Sequence, residues 1–233
     1  MSVTQTRAET AAGTSCWSCK AATNGTHFCP ACGKIQALPR GTSYFALFGL
    51  PEKLGIDAGA LEQQFHKLSW KLHPDNFVRA DEFERNLSLE RSSELNDAYR
   101  TLSDPLARVE YLLEHEGMRK EGTTKQQAPP ELLEEVFELN ESLDKLREAR
   151  ESGEGLAELR GRLEAARKDF QQKLEDVDGE LNGVFARWDA AISSGASKDA
   201  RVALMGQMNE ILNRRSYIRN LVANVQDELT KTS

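Results

Sequence analysis

Apolar side chains in the second half of the chain recur at alternating steps of four and three residues, and this spacing constrains the fold more than any other feature. The first such run begins after Pro129 and ends before Gly153. Two longer runs with similar steps follow, and they end at Trp188 and at Leu229. Because such steps place side chains on one face of a helix, the pattern predicts an antiparallel three-helix bundle over residues 129–233.

Composition agrees with an all-α protein, since Glu, Lys, Arg, Leu and Ala are abundant. No run of about 18 apolar residues is present, so we expect no membrane partner. The first 30 residues lack the apolar stretch of a secretory signal. Acidic residues outnumber basic ones by 37 to 30, giving a formal charge of -7, which disfavours a nucleic-acid-coating role.

All four cysteines lie within seventeen residues, as the pairs Cys16-x2-Cys19 and Cys29-x2-Cys32. Two such turns can present four thiolates tetrahedrally to one ion, which predicts a small structural zinc knuckle or ribbon over residues 16–40. Two disulfides, two redox dithiols and a rubredoxin-like iron site are the alternatives, and iron is the second choice of occupant. We expect the metal to supply the folding energy of this segment, so that chelation unfolds it alone. His27, between the pairs, is expected on the surface.

Residues 41–117 predict a helical hairpin with a sharp tip. Asp57 offers an N-cap to a helix over residues 58–72, and His73-Pro74-Asp75 ends that helix because proline disfavours helical backbone at the preceding residue. A second helix is expected over residues 81–102. Its apolar positions would face the first helix, and they are Phe83, Leu87, Leu95, Ala98 and Leu102. The tip of the hairpin would then be exposed.

Three stretches of this middle region resemble a J domain. They are a short aromatic helix at Tyr44 and Phe45, the run WKLHPDNF at residues 70–77, and SSELNDAYRTL at residues 92–102. The run DPLARVEYLL at residues 104–113 and the helical C-terminus narrow the resemblance to the HscB family of iron–sulfur-cluster co-chaperones, over residues 42–233. The four-cysteine extension resembles that of mitochondrial and some other members.

Five segments are therefore expected along the chain. They are a disordered tail at residues 1–15, the metal-binding segment at 16–40, the J domain at 41–117, a linker at 118–128, and a scaffold-binding bundle at 129–233.

By this resemblance, the His73-Pro74-Asp75 loop contacts a DnaK/HscA-type chaperone and triggers its ATP hydrolysis. The basic face of the preceding helix, with Lys67 and Lys71, is implied to dock on an acidic patch of that chaperone. Complementary charge of this kind gives fast, salt-sensitive association even when the whole protein is acidic.

Two other interpretations of the loop stay open. A bare His-Pro-Asp tripeptide is also an ordinary interhelical turn. An enzyme would pair His73 with Asp75 as acid and base, or use His66 as a metal ligand, but no third ligand, nucleophile or phosphate loop lies at a supporting spacing. Asn76 departs from the family, which usually has lysine there, and this removes one positive charge.

A second apolar pair, Leu133 and Phe137, lies beside the seam of the first bundle helix and is bordered by Glu138 and Glu141. Tyr217 makes a comparable off-seam pair with Leu221 on the last helix. Apolar pairs rimmed by charge are typical of partner sites. The alternative is a core-facing stripe that is simply wider.

The resemblance implies that this second surface binds the iron–sulfur scaffold protein IscU. The contacts it implies are Leu133, Phe137, Glu138, Glu141 and Tyr217. The protein would be a co-chaperone that delivers IscU to the chaperone and stimulates its ATPase, promoting iron–sulfur cluster assembly and transfer. It would be an adaptor, not an enzyme.

Two further functions are weighed against this one. A general J-domain protein would use the bundle only to dimerise or as a spacer, and a metal-dependent enzyme or redox protein would use the four cysteines. We expect a monomer or weak homodimer, in the bacterial cytoplasm or, in a eukaryote, the mitochondrial matrix.

Overall fold

The computed structural model describes residues 15–23, 25–119 and 129–231, without the side chains of residues 151 and 152. Most of the expected tail and of the expected linker lies outside these ranges. Ser15, which was assigned to the tail, instead pairs with Ala22 in an isolated antiparallel bridge. The chain forms two compact units, Met1–His115 and Glu116–Ser233, so the metal-binding segment and the J-domain region share one unit.

Seven α-helices account for most of the described residues, and no strand longer than an isolated bridge occurs among them. The helices are α1 (Tyr44–Leu47), α2 (Ala58–Leu72), α3 (Glu82–Ser103), α4 (Pro105–His115), α5 (Leu133–Ser152), α6 (Leu156–Ser194) and α7 (Lys198–Thr230). The same described residues include two 3₁₀ turns, Pro74–Phe77 and Pro130–Leu132. The all-α prediction is confirmed. No described helix is both long enough and apolar enough to cross a bilayer.

Side-chain caps set the start of each helix in the hairpin. The carboxylate of Asp57 accepts a hydrogen bond from the Ala60 amide at 2.8 Å, and Asp81 accepts one from the Glu84 amide at 2.9 Å. Each cap satisfies an amide that has no partner within its own helix. Helix α2 ends at Leu72, where the sequence predicted it, because Pro74 follows.

The hairpin core forms largely as the periodicity predicts. Leu61, Leu68 and Leu72 of α2 are buried, and so are Leu87, Leu95, Ala98 and Leu102 of α3. Phe83 was expected to face α2, and that contact stays a prediction. The ring of Phe83 is only partly buried and meets Trp17 of the metal segment edge-on, with 4.8 Å between ring centroids.

The second unit is the expected three-helix bundle. Leu132 and side chains of α5, α6 and α7 form one buried cluster, comprising Leu132, Leu139, Leu143, Leu146, Leu163, Phe170, Val177, Ile218, Leu221, Val225 and Leu229. Arg150 near the end of α5 pairs with Glu228 near the end of α7 at 2.9 Å. These two helices therefore run in the same direction, and α6 runs antiparallel to both.

One ion pair and one buried aromatic side chain bear on the stability of the bundle. The guanidinium of Arg215 on α7 makes two bonds to the Asp178 carboxylate of α6, at 2.5 and 3.2 Å. Such a bidentate pair fixes the two helices relative to each other. Trp188, predicted to be core, is buried.

Candidate metal centre and binding surfaces

The four cysteine sulfurs converge on one point. All four lie within 4.8 Å of one another, and both Cys16 Sγ–Cys32 Sγ and Cys19 Sγ–Cys29 Sγ measure 3.6 Å. A disulfide requires about 2.05 Å, so the structure contains four free thiols and not two disulfides. Tetrahedral thiolates on a metal with bonds of about 2.3 Å would stand about 3.8 Å apart. The side chains present therefore fit a single four-coordinate metal ion.

The two Cys-x-x-Cys turns have the same backbone shape. The residue four positions after the first cysteine has positive φ in both turns, 66° at Lys20 and 72° at Gly33. Its amide donates to the carbonyl of that first cysteine, at 3.0 and 2.9 Å respectively. Amides inside each turn also donate to sulfur, at 3.3 Å from Ser18 to Cys16 and 3.4 Å from Ala31 to Cys29. These donors stabilise negative charge on the sulfurs.

At these distances, ionisation of one thiol disfavours ionisation of the neighbouring thiols. Burial raises the pKa of Cys16, but hydrogen bonds from the Cys19 and Ser18 amides and from the Cys32 and Cys19 thiols together lower it to about 6. At Cys32, a hydrogen bond involving the Lys34 backbone lowers the pKa, while desolvation and the neighbouring sulfurs raise it, to about 12. A bound cation removes this competition, because it favours the thiolate form of every ligand.

The prediction that His27 lies on the surface is wrong. Its Nε2 lies 2.9 Å from the carbonyl oxygen of Leu47 in α1, and its Nδ1 lies 3.1 Å from the guanidinium of Arg91 in α3. Burial lowers the pKa of His27, the Leu47 carbonyl raises it, and the positive charges of Arg91 and Lys71 lower it further. The imidazole is therefore neutral at pH 7, donating to Leu47 and accepting from Arg91.

The His73-Pro74-Asp75 loop is exposed at the tip of the hairpin, as predicted. The side chain of His73 is 55% exposed and that of Asp75 is 85% exposed. The Asp75 amide donates to His73 Nδ1 at 3.3 Å, which holds the imidazole over the following turn. Lys67 and Lys71 are exposed on the helix that leads into the loop. The arrangement is a cationic helix face ending in an exposed loop, which suits recognition of an acidic protein surface.

Trp70 is a residue of this surface that the sequence did not single out. Its side chain is 79% exposed, and it lines a shallow cleft with His66, Ser69, His73 and Asn76. Its position on α2, outside the buried stripe that contains Leu68 and Leu72, could have predicted that the indole is exposed.

The outer face of α5 carries the second expected surface. Leu133 is 54% and Phe137 is 72% exposed, so the alternative of a wider seam is wrong for this pair. Glu138 and Glu141 are exposed beside them. A hydrogen bond from Lys145, at 2.7 Å, lowers the pKa of Glu141.

Tyr217 and Leu221 differ from the exposed pair that was expected on α7. Leu221 belongs to the bundle core, and Tyr217 is partly buried and packs against that core. The expectation of an off-seam pair there is wrong, because the apolar face of α7 is wider than its seam. The role of Tyr217 in binding stays a prediction.

Comparisons with known proteins agree with this architecture. The family model described as the HSCB C-terminal oligomerisation domain matches residues 128–193. The co-chaperone protein HscB homolog of Vibrio vulnificus strain YJ016 is 35% identical over 149 residues, covering 64% of this chain and 84% of that one. Its counterpart in Aliivibrio salmonicida strain LFI1238 is 37% identical, covering 57% and 80% of the two chains.

A solved structure extends the likeness to almost the whole chain. The crystal structure of human co-chaperone protein HscB superposes with a TM-score of 0.60 at 25% sequence identity, covering 91% of this chain and 96% of that one. These matches, together with the exposed loop and the helical bundle, show that the chain belongs to the HscB family of co-chaperone proteins.

Proposed function

We propose that this protein binds an IscU-type iron–sulfur scaffold through α5 and delivers it to a DnaK/HscA-type chaperone. The His73-Pro74-Asp75 loop then stimulates the ATPase of that chaperone, which promotes iron–sulfur cluster assembly and transfer. The observation that carries the proposal is the exposure of Phe137, at 72%, on a helix whose opposite face is core. A large aromatic side chain in water is a free-energy cost unless a partner covers it.

The client surface combines apolar anchors with a charged border. Leu133, Phe137 and Glu141 are each four residues apart, so they form one row along α5. Anchors of this kind dominate binding energy when a partner desolvates them, and the surrounding charges contribute mainly to specificity.

The chaperone surface works through charge and shape. Lys67 and Lys71 lie one helical turn apart and precede the loop directly. They attract an acidic partner, after which the loop meets that partner at a fixed position relative to α2. The protein performs no chemistry in this scheme, because the hydrolysis occurs in the chaperone.

Zinc is the metal we propose for the four-cysteine site, since a closed set of four thiolates is typical of structural zinc. Cys16, Cys19, Cys29 and Cys32 would hold the ion, which supplies a cross-link between the two turns. Iron fits the same ligands, and elemental analysis of the purified protein separates the two. We propose a location in the bacterial cytoplasm, or in the mitochondrial matrix of a eukaryotic host, and a monomer or weak homodimer in solution.

Calorimetric titration with purified IscU-type scaffold, at two salt concentrations, tests the client assignment. We expect micromolar binding that the double variant Leu133→Ala/Phe137→Ala loses and that Leu89→Ala, an exposed leucine on α3, retains. Absence of binding by the intact, folded protein would overturn the scaffold assignment.

A steady-state ATPase assay tests the second half of the proposal. His73→Gln is expected to abolish stimulation of the chaperone while leaving helicity and scaffold binding unchanged. An unaltered rate with His73→Gln would exclude this loop as the activating element, and His115→Gln, an exposed histidine on α4, is the matched control.

A further inference from the structure

The metal-binding segment contacts α3 at its first turn. Trp17 packs edge-on against Phe83, and the ammonium of Lys34 pairs with the carboxylate of Glu84. The Glu84 side chain is only 5% exposed, so its charge is almost entirely removed from water. Lys34 Nζ also lies 5.9 Å from the centroid of the Trp17 ring, a cation–π distance. The two contacts therefore support each other.

A second contact lies two helical turns further along α3. Arg91 is 3% exposed, and its guanidinium is shared between the Glu94 carboxylate on its own helix and Nδ1 of His27 from the metal segment. The other nitrogen of His27 is held by the Leu47 carbonyl. One imidazole thus connects the metal segment to both α1 and α3.

These contacts lie on the face of α3 that holds the end of α2. Glu84, Ser88 and Arg91 follow one another at steps of four and three, so Ser88 lies between the two contact points. The hydroxyls of Ser88 and Ser92 both donate to the carbonyl oxygen of Leu72, at 2.6 and 3.0 Å. That carbonyl has no partner inside its own helix. It belongs to the residue immediately before the His-Pro-Asp loop.

We propose that the four-cysteine segment is a positioning element for the His73-Pro74-Asp75 loop. The metal would hold the two Cys-x-x-Cys turns together, and the segment then places Lys34 and His27 against α3. Helix α3 in turn binds the end of α2, from which the loop projects. The inference rests on the proposed function for the meaning of the loop, but its structural content is independent of any partner.

The buried charges make this coupling strong. Without Lys34, the Glu84 carboxylate keeps its burial and loses its ion pair, and an unpaired buried charge is strongly unfavourable. Without His27, the buried guanidinium of Arg91 loses one acceptor. When the metal segment unfolds, α3 loses the Trp17 ring that packs on Phe83, the ion pair at Glu84 and the His27 link to α1. We therefore expect the first turns of α3 to open, which differs from the expectation that chelation unfolds the segment alone.

Hydrogen exchange of the full-length protein, with and without a chelator, tests the coupling without any activity assay. Metal removal is expected to accelerate exchange at least about tenfold in residues 72–77 and 82–92, because local opening governs the exchange of protected amides. Helices α5 and α7 serve as the internal reference, with no expected change. Loss of protection confined to residues 15–38 would overturn the proposal.

The variant Lys34→Ala tests the Lys34–Glu84 ion pair independently of metal binding. This variant keeps all four cysteines, so it is expected to bind one metal ion per chain and still show faster exchange in residues 72–77. Arg40→Ala removes an exposed cation from the same segment and is expected to match the parent protein. Lys34→Arg is expected to restore protection. Normal protection in metal-loaded Lys34→Ala would refute the role of this pair.

The double variant Lys34→Ala/Glu84→Gln guards against simple misfolding of the single variant. It removes the unpaired charge, so it is expected to fold and to recover part of the protection. In the ATPase assay, Lys34→Ala is expected to lower maximal stimulation several-fold while the half-maximal concentration changes little. If the parent protein stimulates no ATPase, the proposed function fails, and the exchange results still decide the coupling.

Discussion

The side-chain amide of Asn76 donates a hydrogen bond to the main-chain oxygen of Trp70, and the two atoms are 2.6 Å apart. The bond satisfies a carbonyl at the end of α2 that has no partner within the helix. Asn76 was noted in the sequence for the positive charge that it lacks relative to the J-domain pattern. In the structure it is a cap that joins the loop to the helix before it.

Replacing this cap is expected to weaken the tip of the hairpin. Asn76→Ala is expected to lower the free energy of unfolding of the first unit by about 0.5 to 1 kcal/mol, the usual contribution of one exposed hydrogen bond. Chemical denaturation followed by circular dichroism measures the change. Asn86→Ala, at an exposed position inside α3, is the control. It is expected not to lower the free energy of unfolding, since alanine has the higher helix propensity. Equal effects of the two changes would contradict the capping role.

Trp70 is expected to contribute to chaperone binding and not to folding. Because its side chain is 79% exposed, Trp70→Ala removes little buried surface and is expected to leave the melting temperature unchanged. If the partner covers the indole, affinity for the chaperone falls by about 1 to 3 kcal/mol. Titration of the chaperone with the variant, compared with Leu89→Ala, measures this loss. An unchanged affinity would place Trp70 outside the interface.

Phe137 and Leu139 make a matched pair on α5, one exposed by 72% and the other by 3%. Phe137→Ala is expected to weaken scaffold binding by about 1 to 3 kcal/mol with little loss of stability. Leu139→Ala is expected to lower the free energy of unfolding by about 2 to 5 kcal/mol, because it leaves a cavity in the bundle core. Calorimetry and thermal unfolding of both variants distinguish the two effects. A large fall in melting temperature for Phe137→Ala would show that its ring is core.

Glu228 is expected to make bundle stability depend on pH. A hydrogen bond from Lys231 lowers the pKa of this carboxyl, burial opposes the shift, and Arg150 and Arg147 lower it further. Its stabilising effect is therefore complete above the unfolded-state pKa of about 4.3 and is lost as pH falls through the lower folded-state pKa. Denaturation between pH 3 and 7 measures the dependence.

Glu228→Gln is expected to reduce the pH dependence of the free energy of unfolding between pH 3 and 7. It is also expected to lower that free energy by about 1 to 3 kcal/mol at neutral pH. Glu164→Gln, an exposed position on α6, is the control and is expected to keep the parent profile. A profile unchanged by Glu228→Gln would assign the acid sensitivity of the bundle to other carboxyls.

Local features of the sequence were sufficient to predict the helices and the convergence of the four cysteines. Asp57 and Pro74 set the two ends of α2 through contacts within a few residues, and the structure places both ends where the sequence predicted them. The cysteine spacing likewise predicted four converging sulfurs, since each pair is presented by a turn of four residues. Such features depend only on residues nearby in the sequence, so they can be predicted before any tertiary contact is known.

Partners across long stretches of sequence were not predictable in this way. Phe83 and Leu221 both lie on amphipathic helices, but periodicity identifies a face and does not say which element covers it. Phe83 packs against Trp17 of the metal segment, and Leu221 belongs to the core because the apolar face of α7 is wide.

The sequence alone therefore determined an all-α protein, four cysteines spaced to hold one metal ion, an exposed His-Pro-Asp loop and a bundle with an apolar pair beside its seam. Only the tertiary structure decided that the metal segment packs on the hairpin. Lys34 and Glu84 are 50 residues apart, and His27 and Arg91 are 64 apart. Polar groups become partners at such separations only when folding brings them together and removes water from around them, which no local pattern encodes.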